Sequence, residues 1–461
     1  MAAAAAAAAG AAAAEAAAAR RTAPASTATP AWHVLDVLDG LFRLEKRSPT
    51  LDGSAPLRTA QGCDPFLAGN AYGTQLTLAR PLRLARRFGR WQASWDEGGE
   101  ALERLLRARL PWLVESGYLT RAWATALREG VARVRAGDRL CLFTGLLVRP
   151  ESGLALHLTN GANRRNRLVE VSERLFGSGE LVPVVLDLAL SEEARAPFRL
   201  MGELATLAPL RPGVAVRESE IESAPEMAEA HSRFYDASYF ATKKGEITGR
   251  YRREVLGQAA APPAPDGTLT IAAAGSRLPA EPLESFTTAK GPEPVRRPGR
   301  GVARAVFRNL VALSAVFDGQ TLSVDIDGAR LKPMAEELRR RWERLLPEEL
   351  RRHPGALLYL TKYVTPHVPG EPHFFVKPWA FLGTSPGWSC LLEGIHGPGY
   401  DVLRGVVHTD HFHAVPAVFA LHRVGEAVRI AEGAPLLHVV PVPRELLAAP
   451  YAAVSADGMP G

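Results

Sequence analysis

The sequence predicts a β-rich α+β fold: two tandem, related β-sandwich or jelly-roll-like domains with helical insertions. Three observations lead there. A patterned segment occurs twice, the second time about 230 residues after the first, a domain-sized spacing rather than a solenoid period. Short apolar runs bounded by Gly, Pro and Asn dominate both occurrences. Helix-like apolar spacing is confined to stretches outside them. The first occurrence holds a turn at Pro150 and Gly153, a polar loop at Gly161-Ala-Asn163, a strand interrupted by Pro183, and a strand running from Gly202 to Pro209. The second holds Pro386 and Gly387, Gly397-Pro-Gly399, Pro416, and a strand from Gly433 to Pro441.

Residues 1–31 are nearly all Ala and lack the basic start and strongly apolar middle of a signal peptide. Alanine is too weakly apolar for a membrane span, so this stretch reads as a tail outside the fold. From Trp32 to Lys46, Leu35, Leu38, Leu41 and Leu44 recur at helical spacing. Residues 62–84 read as loop and strand, with Asn70-Ala-Tyr-Gly73 turning into Gln75-Leu-Thr-Leu78. Glu100 to Val134 is helical, broken at Pro111 and Gly117. The first β segment spans Arg139 to Leu210. A polar helical stretch, Glu218 to Val255, follows, and then a Pro/Gly/Ala-rich linker from Gln258 to Gly301. Arg304–Val316 and Thr321–Ile326 form a hairpin about Asp318-Gly319. Leu331 to His353 is an amphipathic helix burying Leu338, Trp342, Leu345 and Leu346, its arginines a solvated face paired with nearby glutamates. The expected domains are therefore 32–213, a connecting segment 214–303, and 304–461.

The chain has 461 residues, 47% hydrophobic and 23% charged, which is ordinary for a globular protein. Its net charge of +6 comes from dispersed arginine without a block of like charges, giving no support to nucleic acid as a partner. No segment indicates a membrane partner. Cys63, Cys141 and Cys390 are odd in number and far apart, so they offer neither a disulfide framework nor a thiolate metal site, and a reducing cytoplasm is expected.

Histidine is distributed unevenly: nine of the 12 lie from His353 onward. The matching first-copy position of His408-Thr-Asp410-His-Phe-His413 is Glu173-Arg-Leu-Phe176, so chemistry is expected in the second copy. On a strand, His408 and Asp410 would face one side, His411 and His413 the other. A His-x-Asp pair with a distant His can hold non-haem iron, which makes His438 the available third ligand and Arg429 a holder for an acidic cosubstrate. Two metal-free alternatives stand beside this. His408, Asp410, His411 and His413 could act as acids and bases, or Asp410 could cap a turn and His438 fill the core. No cofactor is favoured; iron belongs to the metal reading alone. Gly-x-Ser-x-Gly and Walker A motifs are absent, and Glu393-Gly-Ile-His396 lacks zinc-protease spacing.

A binding reading uses other residues. Tyr235, Tyr239, Lys243, Arg250 and Arg252, with Trp388, would present aromatic area and cations to a peptide or acidic ligand. A solvated basic face on a connecting segment is the plain alternative.

Asn70-Ala-Tyr-Gly73, Ser385-Pro-Gly-Trp388, Gly405-Val-Val-His-Thr-Asp410, Gly433-Ala-Pro435 and Pro441-Val-Pro443 resemble motifs of an uncharacterised bacterial family of jelly-roll-like domains. The match covers about a third of the chain and implies a fold more than an activity. More loosely, the chain resembles the peptide-binding proteins of ribosomal peptide natural-product pathways such as crocagin biosynthesis. The resulting expectation is a peptide- or small-metabolite-binding accessory protein of specialised biosynthesis, with a homodimer left open. The alternative is a metal-dependent, cupin-like oxygenase or cyclase using His408, Asp410 and His438.

Overall fold

The computed structural model describes residues 29–46, 72–88, 90–135, 138–160, 168–177, 179–190, 197–234, 266–273, 275, 278–351, 363–366, 370–413, 415–447, 449–455 and 459. Over these residues it is a β-rich α+β fold of sandwich-like sheets, 50% strand and 17% helix. The first copy contributes β1 (Trp32–Asp36), β2 (Phe42–Lys46), β3 (Thr74–Arg87), β4 (Arg90–Trp95), α1 (Gly99–Glu115), α2 (Arg121–Leu127), β5 (Ala132–Arg135), β6 (Arg139–Pro150), β7 (Ala155–Asn160), β8 (Val169–Val171), β9 (Arg174–Phe176), β10 (Val182–Leu190), β11 (Phe198–Leu210) and β12 (Ala215–Glu220). After α3 (Pro225–Phe234) come β13 (Thr268–Ala273), β14 (Ser285–Thr288), β15 (Gly291–Arg296), β16 (Ala305–Arg308), β17 (Leu313–Phe317), β18 (Leu322–Ile326), α4 (Gly328–Leu345), α5 (Glu348–Arg351), β19 (Val364–Pro366), β20 (His373–Val376) and β21 (Ala380–Thr384). The chain closes with β22 (Trp388–Gly394), β23 (Tyr400–Val402), β24 (Gly405–Val407), β25 (Ala417–Leu421), β26 (Val428–Ile430), β27 (Pro435–Pro443), α6 (Arg444–Leu447) and β28 (Tyr451–Ala453). Among the described residues no helix is long and apolar enough to cross a membrane.

Strand register supports the duplication. In the first copy Leu156 of β7 lies between Phe176 of β9 and Pro209 of β11. In the second, Cys390 of β22 lies between Val407 of β24 and Pro441 of β27. Each recurring proline thus occupies the same place in an equivalent three-strand unit. Strand β6 is almost wholly buried, which explains its nearly unbroken apolar run. Against it, β10 shifts register between Pro183 and Val185, where proline cannot donate to the ladder.

The copies exchange strands. β12, which ends the first copy, pairs in parallel with β13, whose other neighbour is β21 of the second copy. Reciprocally, β28 at the end of the second copy pairs in parallel with β1, whose other neighbour is β6. The hairpin β14–β15 also crosses over, extending the first copy's sheet by parallel pairing of β14 with β9. Between the copies lies a small apolar layer including Tyr72, Leu175, Phe286, Leu391, Val406 and Val440.

The Asp318-Gly319 hairpin is present, with Asp318 accepting from the backbone N–H groups of Gln320 (2.8 Å) and Thr321 (2.6 Å). So is the amphipathic helix, as α4 and α5, with Leu338, Trp342 and Leu346 buried. Three expectations are corrected. Trp32–Lys46 is two strands, because Asp36 accepts hydrogen bonds from the N–H groups of Leu38 (3.0 Å) and Gly40 (2.7 Å), and Asp39 and Gly40 take positive φ. That turn breaks the leucine period into two strand faces. The helical readings are also corrected: residues 132–134 belong to β5 and 218–220 to β12, while α1 runs through Pro111 without the expected break. Of the expected linker, residues 266–301 supply β13, β14 and β15, so the second copy begins within the segment read as a connection.

Gly394 closes β22 where a Cβ would fall inside the van der Waals envelope of the Val402 carbonyl oxygen. That oxygen is backbone and cannot rotate aside. Gly394→Ala is expected to destabilise the fold by about 1–3 kcal/mol, read as a lower denaturation midpoint; an unchanged midpoint would contradict the close approach.

Candidate functional site

Two places concentrate chemistry, both where the copies meet. The first is a cavity of about 190 Å³ in the first copy, one wall of which comes from the second copy's β14–β15 hairpin. Trp123 of α2 fixes that wall by donating its indole N–H to the Thr288 carbonyl at 2.8 Å, and Thr120 donates to the Lys290 carbonyl at 3.2 Å. Trp123, Phe143, Phe176, Pro183, Pro292 and Pro294 make the apolar lining. Arg133, Arg135 and Arg174 bring three guanidinium groups, while Glu129 and Glu293 bring carboxylates. Arg133 is ion-paired to Glu129. Arg174 stands 3.6 Å from Asp187, and its Nε is buried with no hydrogen-bond partner. Cys141 also lines the cavity, but burial pushes its thiol pKa up and keeps it protonated, so it is a poor nucleophile.

The second place is a buried charge cluster. His157 of β7 is fully buried, with Nε2 2.7 Å from Glu173 Oε1 and Nδ1 3.4 Å from Glu393 Oε1. Arg304 donates to Glu173 Oε2 at 2.8 Å and Arg404 to Glu393 Oε1 at 3.4 Å. Thus the first copy supplies His157 and Glu173, the second Glu393, Arg304 and Arg404. Burial alone would push the His157 pKa down, but the Glu393 and Glu173 carboxylates outweigh it and hold the imidazole at about 10. Burial would likewise raise Glu173; His157 and Arg304 reverse that and bring it to about 2. His157 is therefore an imidazolium, hydrogen-bonded to Glu173 through Nε2 and in ion-pair contact with Glu393 at Nδ1.

Among the described residues, His157, Glu173 and Glu393 are the one trio of such donors with ligand atoms within 4.8 Å of one another. Their directions nevertheless disfavour a metal. The two carboxylates lie at opposite ring nitrogens, whose lone pairs diverge, so one ion cannot use both sides of the ring. Arg304 and Arg404 already neutralise the carboxylates and protonated His157 adds a positive charge, so an added cation would raise a net charge that is already positive.

The expected iron triad does not assemble. Residues 408–413 form a turn after β24, with the N–H groups of His411 and Phe412 bonded to the His408 carbonyl, so the strand alternation assumed for them is corrected. His408 Nδ1 meets Ser389 Oγ at 2.7 Å. Asp410 is held by Arg444 and by the Gly387 N–H. His438 pairs in register with Glu393, four residues along β22 from Ser389 and on its opposite flank. Strand geometry therefore separates His408 and His438 by on the order of 15 Å, too far to share an ion. Arg429 is exposed on β26, a strand of a different sheet.

As acids or bases these residues are poorly placed. Burial, with Arg444 and His411, pushes His408 down to about 4, leaving it neutral, but its partner Ser389 is fully buried. His413 Nδ1 contacts the Leu382 carbonyl at 3.0 Å, and His411, half-exposed, lies 3.6 Å from Asp410. Trp388, expected at a ligand, is fully buried, with Arg211 5.7 Å from its ring centroid. Tyr235, Tyr239, Lys243, Arg250 and Arg252 lie outside the described residues, as do His353 and His367.

Sequence reasoning missed the cavity and the cluster. It also missed His396 and His422, whose nitrogens each lie 2.9 Å from an oxygen of Asp401. Burial would raise Asp401, but those two histidines hold its carboxyl well below the usual range. No family model and no curated protein matches the chain.

Proposed function

We propose that the protein binds a peptide or small metabolite, as an accessory protein of bacterial specialised biosynthesis, and that the ligand is a carboxylate with a compact apolar body seated in the cavity beside Trp123. The cavity carries this reading: its lining joins aromatic and proline residues to three arginines, Arg133, Arg135 and Arg174. Guanidinium donors suit carboxylates, and the apolar residues of the lining suit the ligand's apolar body. A volume of about 190 Å³ is below the usual range for drug-sized ligands, so it favours one side chain with its terminal carboxylate. The biosynthetic setting rests on the family resemblance. A reducing cytoplasm accords with Cys141 and Cys390 as buried free thiols.

The test is calorimetric titration with short peptides ending in leucine or phenylalanine. Binding is expected for the free carboxylate, with at least about tenfold loss on amidation or in Arg174→Met, as when a charged hydrogen bond is removed. Equal affinity for the amidated peptide, or an unaffected Arg174→Met protein, would overturn the proposal.

A further inference from the structure

The β3–β4 hairpin carries three local costs at its tip. Phe88 is fully exposed, at 102% of its reference area. It also has φ +50°, a left-handed conformation that bulky residues avoid and that two-residue hairpin connections usually give to Asn or Gly. Directly behind it, Arg87 and Arg90 pair across the ladder, placing like charges opposite one another. None of these features benefits the hairpin, whose packing comes from Leu82, Leu84 and Trp91 further back. Arg83 and Arg86 are exposed on the same ribbon. Arg86 lies 3.8 Å from Asp138, at the start of the neighbouring strand β6, and Arg135 is exposed on β5. The arginines are interleaved with apolar residues in Arg83-Leu-Ala-Arg86-Arg-Phe-Gly-Arg90, so no continuous charge block reveals them.

We propose that this hairpin is a membrane-surface contact, in which the Phe88 ring enters the interface of an anionic phospholipid leaflet and Arg83, Arg86, Arg87 and Arg90 engage headgroup phosphates. The order of groups with depth favours a lipid surface over a nucleic acid. The outermost group is apolar, and cations begin one step behind it on both strands, as the headgroup layer lies above the acyl boundary. One inserted ring and a basic patch are each weak anchors, so together they give reversible, salt-sensitive attachment.

Co-sedimentation of the full chain with phosphatidylcholine vesicles, with and without phosphatidylserine, tests this. Binding is expected only to the anionic vesicles and should fall as salt rises. Phe88→Asn suits the left-handed position and keeps the fold, yet should weaken binding at least about tenfold. Replacing Arg87 and Arg90 together by Ser should weaken it roughly 20–30-fold. The proposal is overturned if anionic vesicles fail to bind at low salt, or if Phe88→Asn binds them like the parent protein. Tighter binding to a duplex or single-stranded oligonucleotide than to the vesicles, lost in the same variants, would overturn it in favour of nucleic acid.

Discussion

Glu393→Ala will destabilise the protein by about 3–5 kcal/mol, the scale of breaking one partner out of a buried charge network. The reason is what remains behind. His157 is fully buried and loses the carboxylate at Nδ1, while Arg404, itself buried, loses the oxygen to which it donates. By contrast Glu281→Ala removes an ion pair with Arg308 whose side chains are about 40% exposed, and should cost at most about 1 kcal/mol. Denaturant unfolding of both variants checks the contrast; equal midpoints would refute the assigned importance of the buried cluster. The pH dependence has a defined sign. His157 is held at about 10, so its contribution is complete below its ordinary value of 6.5 and is lost as pH rises through 10. Glu173 is held at about 2, so its contribution is complete above 4.5 and is lost as pH falls through 2. The cluster therefore stabilises most between pH 4.5 and 6.5, and Glu393→Ala should reduce the decline on the alkaline side.

The cluster also shows where a sequence stops being informative. Glycines, prolines and apolar runs are read locally, and they mark β7, β11, β22 and β27, which the structure pairs around Leu156 and Cys390. His157 and Glu173 carry no local signature, and Glu173 even served as the histidine-free counterpart of the His408 segment. Their meaning depends on Glu393, Arg304 and Arg404 arriving from the other copy, and no spacing within one copy encodes that meeting. The leucines of Trp32–Lys46 failed for a different reason. Their helical period is real, but the turn from Asp36 to Gly40 converts it into two strands, and Asp36-Val-Leu-Asp-Gly40 was the visible signal. The cavity was hidden because its walls join α2, β5, β6, β9 and β10 to a hairpin from a segment whose Pro and Gly content suggested a linker.

Severing the chain between residues 234 and 266 should yield halves that do not fold separately as monomers and that recover the fold when produced together. The first half alone would lack β28 on β1, β14 on β9, and the buried Leu446 in its core. Trp32 would lose Tyr451, whose ring centroid is 5.0 Å away. The second half would lack β12 on β13 and, from its core, Ile221, Ala224, Met227 and Ala228. Arg341 of α4 would also lose Glu222 and Glu220. Burying a large aliphatic side chain is worth about 1.5–3 kcal/mol, so Ile221 and Met227 together represent on the order of 5 kcal/mol. That approaches the whole net stability of many domains, about 5–15 kcal/mol, before the lost pairing of β12 with β13 is counted. Size-exclusion chromatography and cooperative thermal unfolding of each half, and of the co-produced pair, provide the measurement. A monomeric half that unfolds cooperatively on its own would show that the exchanged strands decorate two independent domains. A half that orders only as a homodimer would agree with the exchange, because its own last strand could then fill the equivalent vacant edge in its twin.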